Sequence, residues 1–246
     1  MTELLHLDFD PSSIVWIADL QSRVHKSSSP LVRKRYESWA TVGLYELTLA
    51  IATRLAMVRR VEDHLKESLT RLKDEVAQSD DLDALLEGRL CYRPSDQRIL
   101  FDVCAGVDSC FFEWRSLYEL VGKFARTFVK EMLHRHVTEA QLVEVVNQAG
   151  VPTKWIDALR ENRKLFFHQM APWIALQISA RKPLECELVV MKENLHTLDD
   201  PARFVLEREL IEVSTGLRQS VVAVREWLKR QLESTEQGAT GDGSAG

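Results

Sequence analysis

The sequence predicts an all-α (mainly α) fold, a long antiparallel helical bundle with a small β-hairpin insertion. Three observations predict it. The tract from Leu31 to Val76 contains no proline, and Leu44, Leu47, Ile51, Leu55 and Val58 recur at spacings of three and four, the apolar stripe of an amphipathic helix. A second long helix, from Pro94-Ser95-Asp96 to about His136, carries Leu100, Val103, Val107, Phe111, Trp114, Leu117, Leu120 and Phe124 on one stripe. The pattern then changes. Trp173 to Ser179 and Cys186 to Met191 are short runs rich in β-formers, joined through Ala-Arg-Lys-Pro, and predict a hairpin.

The remaining elements follow in chain order. Asp10-Pro11-Ser12 opens a helix to about Lys26, ended by Ser27-Ser28-Ser29-Pro30. The far half of the first long tract, Arg59 to Glu75, is highly charged and is expected to project or lie on the surface. Asp80 to Leu86 forms a small helical piece before a loop through Gly88. Thr138-Glu-Ala-Gln141 is a capping box, in which hydroxyl and amide side chains satisfy each other's backbone N–H groups. That helix stops at Gly150, and Pro152 begins the next, which runs to about Gln169. Pro172 disfavours helical geometry at Ala171, so His168 falls in the last turn. Asp199-Asp200-Pro201 caps a final helix to about Leu232, with Phe204, Leu206, Leu210, Val213, Leu217, Val221, Val224 and Leu228 on its apolar face. Residues 1–236 are expected to form one helical domain, and the small-residue tail 237–246 to be disordered.

With 246 residues and 45% hydrophobic content the chain can bury a full core. A net charge of −5 excludes a basic nucleic-acid coat. The charge is uneven, however. From Lys154 to Lys182 six basic residues face two acids, whereas from Pro183 to Glu236 eleven acids face seven bases. A local basic patch on an acidic body suits a confined anionic ligand, and its plainer reading is a solvated helix face. Cys91, Cys104, Cys110 and Cys186 lack Cys-x-x-Cys spacing and read as free thiols rather than disulfides or zinc ligands. The N-terminus lacks the basic start and apolar run of a signal peptide. The longest apolar stretch, Val42 to Val58, is interrupted by Glu46 and Arg54, so no membrane span is expected and the protein reads as cytoplasmic.

The chemistry is concentrated in Arg160-Glu-Asn-Arg-Lys-Leu-Phe-Phe-His168-Gln-Met-Ala-Pro-Trp173. Histidine exchanges a proton near neutral pH, and arginine is a fixed cation suited to phosphate. Arg-x-x-x-x-His occurs twice. The copy at Arg59 and His64 lies among interleaved charges of both signs and reads as a solvated helix face. The copy at Arg163 and His168 lies at a helix end, where unsatisfied carbonyls favour an imidazolium. Arg160 and Asn162 reinforce it, and the neighbouring aromatics could stack on a base or belong to the core. Five residues along a helix separate two side chains by about 140° and about 7.5 Å of rise, so they do not face one another directly, although a long arginine could wrap round and two copies across a dimer axis could form one shared groove.

The segment Arg163-Lys-Leu-Phe-Phe-His168, with the long helices preceding it from about Pro94, resembles the HEPN superfamily of all-α domains found in toxin–antitoxin and other defence ribonucleases. The hairpin over 173–191, the Met191-Lys-Glu-Asn194 that follows and the last helix resemble an uncharacterised HEPN-like branch. The resemblance implies a HEPN-like core at about 94–232 with the N-terminal helices 10–78 packed on it. It also implies a homodimer that cuts RNA without a metal or cofactor, in a cleft at the dimer interface, and an antitoxin as partner. On it, His168 would transfer the proton of the ribose 2′-hydroxyl or of the leaving oxygen, and Arg163 would stabilise charge on the phosphate. Arg160, Asn162, Lys164 and Trp173 would bind the substrate. Lys164 stands where the family usually carries Asn, Asp or His, which leaves two roles open: an extra phosphate contact in a catalytic site, or part of a groove that binds RNA or nucleotide, or another protein, without cutting.

Asp108, Glu113 and Glu119 on the preceding helix could orient His168 or Arg163, although helix-surface carboxylates are the simpler account. The rings of His134 and His136 would splay about 200° apart on a helix, so a basic helix C-terminus is expected rather than a metal site. No His-Glu-x-x-His or Gly-x-Ser-x-Gly occurs. Of ten glycines, five lie at Gly216 or later, which argues against a phosphate-cradling loop.

Overall fold

Eight helices and one three-stranded antiparallel sheet make the fold mainly α among the residues described by the computed structural model. These are residues 15–39, 41–80, 82–87, 93–168, 173–179, 185–193, 195 and 197–241, with the backbone alone described for 15–17, 162–168, 179 and 237–241. No helix among them is long and apolar enough to cross a membrane. The chain divides into two compact units, and three long helices contribute to both. These are α3 (Leu44–Ala77), α5 (Arg98–Leu133) and α8 (Glu207–Gly241).

The first unit comprises Met1–Met57, Arg115–Thr153 and Gly216–Gly246. It contains α1 (Val15–His25), α2 (Pro30–Tyr36) and α6 (Glu139–Gln148). Ser29 caps α2 by accepting from the Val32 N–H, with Pro30 in the first turn. The unbroken helix expected from Leu31 to Val76 is interrupted between Tyr36 and Leu44. Trp39 in that interruption is buried edge-on to Phe124 and Phe128, at centroid distances of 6.3 and 6.1 Å. Gly43 then takes φ +76°, a left-handed conformation that glycine adopts without steric cost, and restarts the chain as α3. Burial of one indole thus outweighs helical continuity.

Elsewhere the first unit follows the sequence closely. The capping box at Thr138 and Gln141 is complete, with both reciprocal hydrogen bonds made. Helix α5 ends at Leu133, where His134 takes φ +50° and the Arg135 N–H donates to the Val129 carbonyl at 3.2 Å, a Schellman-type stop. The Arg35 guanidinium caps another carbonyl of that last turn, Met132, at 2.8 Å. Asp19 pairs with Lys229, and the hydrogen bond from that ammonium holds the Asp19 carboxyl below its ordinary range.

The second unit comprises Val58–Trp114 and Lys154–Thr215. It holds α4 (Leu82–Leu86), α7 (Lys154–His168), β1 (Trp173–Ser179), β2 (Glu185–Met191) and β3 (Phe204–Leu206), besides parts of α3, α5 and α8. The charged half of α3 does not project. Val58, Leu65, Leu69, Leu72 and Val76 are buried at near-heptad spacing, so its charges occupy only the complementary faces. Side-chain contacts run from Glu62 to Ser214 and from Lys73 to Glu207, which makes α3 and α8 antiparallel. Helix α5 also runs antiparallel to α3, beginning at Arg98 rather than at Pro94.

The expected hairpin forms, with Trp173 opposite Met191 and Ser179 opposite Glu185. The expected start of the final helix does not. Asp200 caps only a short 3-10 turn, Pro201–Arg203, and Phe204–Leu206 pairs with β2 as a third strand. The spacing explains the difference. Phe204 and Leu206 lie two apart, as strand residues on one face do, and close a small core with Val189 and Met191. From Leu210 onward the buried positions recur every three or four. Helix α8 therefore starts at Glu207, where the Leu206 N–H donates to the Glu209 carboxylate at 2.7 Å and two acids complement the helix dipole. The helix continues past Leu232 to Gly241.

Close packing of α3 on α5 depends on Gly106. A Cβ there would lie 3.1 Å from the Leu65 side chain and 3.3 Å from its Cα, whereas one at Gly122 would meet only the flexible Arg126 guanidinium. We therefore expect opposite signs. Gly106→Ala should destabilise by about 1–3 kcal/mol through overpacking. Gly122→Ala should stabilise by about 0.5–1 kcal/mol through helix propensity. Urea unfolding of the two variants beside the wild type measures both.

Candidate functional site

Helix α7 forms because Gly150, at φ +78°, ends α6 and because Trp155, Ile156 and Leu159 give the next segment a buried face. It is helical as far as His168, and residues 169–172, where the sequence places the helix end, lie outside the described residues. Arg160 is exposed and lies 3.6 Å from Asp157, a contact that contributes little at that exposure. Asn162, Arg163, Lys164 and His168 occupy α7 backbone positions, and their side chains lie outside the described residues. Trp173 opens β1 and is exposed at 46%. The six residues singled out in the sequence thus fall on one helix and on the strand that follows it.

The carboxylates expected on the surface of α5 divide. Asp108 is exposed as a residue, and partial desolvation of its carboxyl pushes its pKa upward. Glu119 is exposed and accepts from Arg115 at 2.6 Å. Glu113, by contrast, is only 4% exposed and belongs to the interior, which corrects the expectation of a surface side chain. Among the described residues no group of three His, Cys, Asp or Glu side chains is placed to hold a metal ion.

No family model, curated protein or solved structure matches the chain.

The second unit contains a feature that the sequence did not announce, a cavity of about 420 Å³. Its apolar wall is made by Leu65 and Leu69 of α3, Cys110 and Trp114 of α5, Leu188 of β2 and Leu210 of α8, all buried. Two polar arrangements frame it. One carboxylate oxygen of Glu62 accepts both from the Trp114 indole N–H at 2.7 Å and from the Ser214 hydroxyl at 2.5 Å. About three turns further along α3, the Lys73 ammonium donates to both oxygens of Glu207 at 2.9 and 2.7 Å, while the Leu188 N–H donates to one of them at 3.0 Å. The Lys73–Glu207 pair is about three-quarters buried, so it holds the start of α8 against both α3 and β2 more firmly than an exposed pair would. The sequence signal that could have revealed this wall is the near-heptad Val58-Leu65-Leu69-Leu72-Val76 hidden in the charge run.

Cys110 lines the cavity as a buried thiol. Burial, and next the negative charge of Glu62, push its pKa to about 12. Cys104 and Cys186 are free thiols too, each raised chiefly by burial, while Cys91 lies outside the described residues. The raised Cys110 pKa fixes a pH dependence. In the unfolded chain the thiol ionises at its ordinary value, but in the folded chain it stays protonated until about 12. Its contribution to stability is thus fully present below the unfolded value of about 8.5 and is lost as pH rises towards the folded one. We expect the wild type to lose more stability than Cys110→Ala between pH 9 and 11 in denaturant titrations. An identical pH slope for the two proteins would contradict the assignment.

Proposed function

We propose that the protein is a metal-independent endoribonuclease of HEPN type that acts as a homodimer, with the ends of two α7 helices forming one cleft. The observation that carries this reading is helix α7 itself. One uninterrupted helix holds Arg160, Arg163 and Lys164 and reaches His168, and an exposed tryptophan opens the next strand. A histidine in the last turn of a helix lies in the negative field of unsatisfied carbonyls, which favours the imidazolium needed as an acid. Its neutral form accepts a proton near pH 7.

In this mechanism neutral His168 removes the proton of a ribose 2′-hydroxyl, and the 2′-oxygen attacks the adjacent phosphorus. The bond from phosphorus to the 5′-oxygen breaks, and that oxygen leaves with a proton supplied by an imidazolium. The products are a 2′,3′-cyclic phosphate and a 5′-hydroxyl, with no net change in protons. Arg163 stabilises the additional negative charge on the phosphoryl oxygens. Arg160 and Lys164 hold flanking phosphates, Asn162 bonds to the sugar or a base edge, and Trp173 stacks on a base. The lysine at 164 favours a second reading, in which the same groove holds RNA or nucleotide without cutting it.

Cleavage of end-labelled RNA in excess EDTA tests the proposal. We expect cyclic phosphate ends from the wild type, a loss of roughly 10²–10⁴ in rate for His168→Ala, and a loss of about 10²–10³ for Arg163→Ala. A folded wild type that binds RNA but leaves it intact would establish the second reading instead.

A further inference from the structure

We infer that the cavity in the second unit is a binding site for a small amphipathic carboxylate, an apolar tail of medium length carrying a single anionic head. A volume of about 420 Å³ lies in the range of small-molecule sites, about 300–1,000 Å³. The wall formed by Leu65, Leu69, Trp114, Leu188 and Leu210 has few polar groups, so the enclosed part of the ligand is hydrocarbon. The indole N–H of Trp114 is already committed to Glu62, and so is the Ser214 hydroxyl. A ligand tail lying against these groups therefore strands no donor.

The position of the head follows from the charges. Four ionisable carboxylates and ammonium groups line the cavity: Glu62, Lys66, Lys73 and Glu207. Lys73 and Glu207 neutralise one another. Glu62 is held by its two neutral donors beside Trp114. Lys66 is exposed, has no carboxylate partner among the described residues, and lies one helical turn from Glu62 in the direction of Lys73. Beside it on the exposed lining are Thr70 and the 59%-exposed Ile211. The opening thus combines an unpaired cation with apolar surface, and the interior is apolar. A cationic head at Lys66 would be repelled, and a neutral head would leave the ammonium unused.

Isothermal titration of the full chain with decanoate, 1-decanol and decylamine tests this inference without involving RNA. We expect saturable one-to-one binding of decanoate, with an affinity tighter than about 1 mM. Lys66→Gln should weaken decanoate binding about three- to fivefold, the size of a partly exposed charge interaction, and leave 1-decanol unchanged. Ile211→Trp should block the opening and abolish binding of both. Lys66 and Ile211 are exposed, so both variants should keep the wild-type circular dichroism spectrum and melting temperature. The inference is overturned if decanoate fails to saturate, if 1-decanol or decylamine binds as tightly as decanoate, or if Ile211→Trp leaves decanoate binding intact.

Discussion

A single carboxylate oxygen organises the second unit. Glu62 of α3 accepts from Trp114 of α5 and Ser214 of α8, so one atom sets the mutual spacing of three long helices. The arrangement is costly to disturb, because removing the acceptor would leave a buried indole N–H without its partner, at roughly 1–3 kcal/mol. It also fixes register. Helices held only by leucine contacts can slide by a turn with modest loss, whereas two hydrogen bonds to one oxygen permit a single alignment. The Lys73–Glu207 pair, reinforced by the Leu188 N–H, repeats the device further along and brings β2 into the same frame. The cavity lies between these two polar ties, and the residues of both line it.

The sheet depends on the same frame. Glu207 is both the partner of Lys73 and the first residue of α8, and β3 ends at the residue before it. Pairing of β3 with β2 thus delivers the chain to the helix start with its first acids already placed for the dipole. The small core of Val189, Met191, Phe204 and Leu206 gives that junction its own buried surface.

What the sequence disclosed follows from the range of the interactions involved. Local rules were legible. The capping box at Thr138, the stop at Gly150 and the hairpin from Trp173 to Met191 each depend on residues that are near one another in the chain. Features that depend on distant partners were not. The break before Gly43 exists because Trp39 finds Phe124 and Phe128, some 85 residues away. Strand β3 exists because β2 offers a free edge. Glu62 and Lys73 looked like members of a solvated charge run, since nothing local distinguishes a carboxylate facing water from one facing an indole. The chemistry of the Arg160–His168 stretch was legible as residue types at a helix end. The cavity was not, because its wall draws on four elements spread from Glu62 to Ser214.

The order in which the chain visits its two compact units carries a practical consequence. Each unit is assembled from separated stretches of sequence, and α3, α5 and α8 each cross from one to the other within a continuous helix. No single cut in the chain can therefore release either unit whole. A shortened protein beginning after α3 would keep every residue of the Arg160–Trp173 segment, yet it would lose Leu65, Leu69, Leu72 and Val76 from the interior of the second unit. Trimming the ends to map activity would then report on collapse of the fold, and point substitutions are the sounder way to dissect this chain.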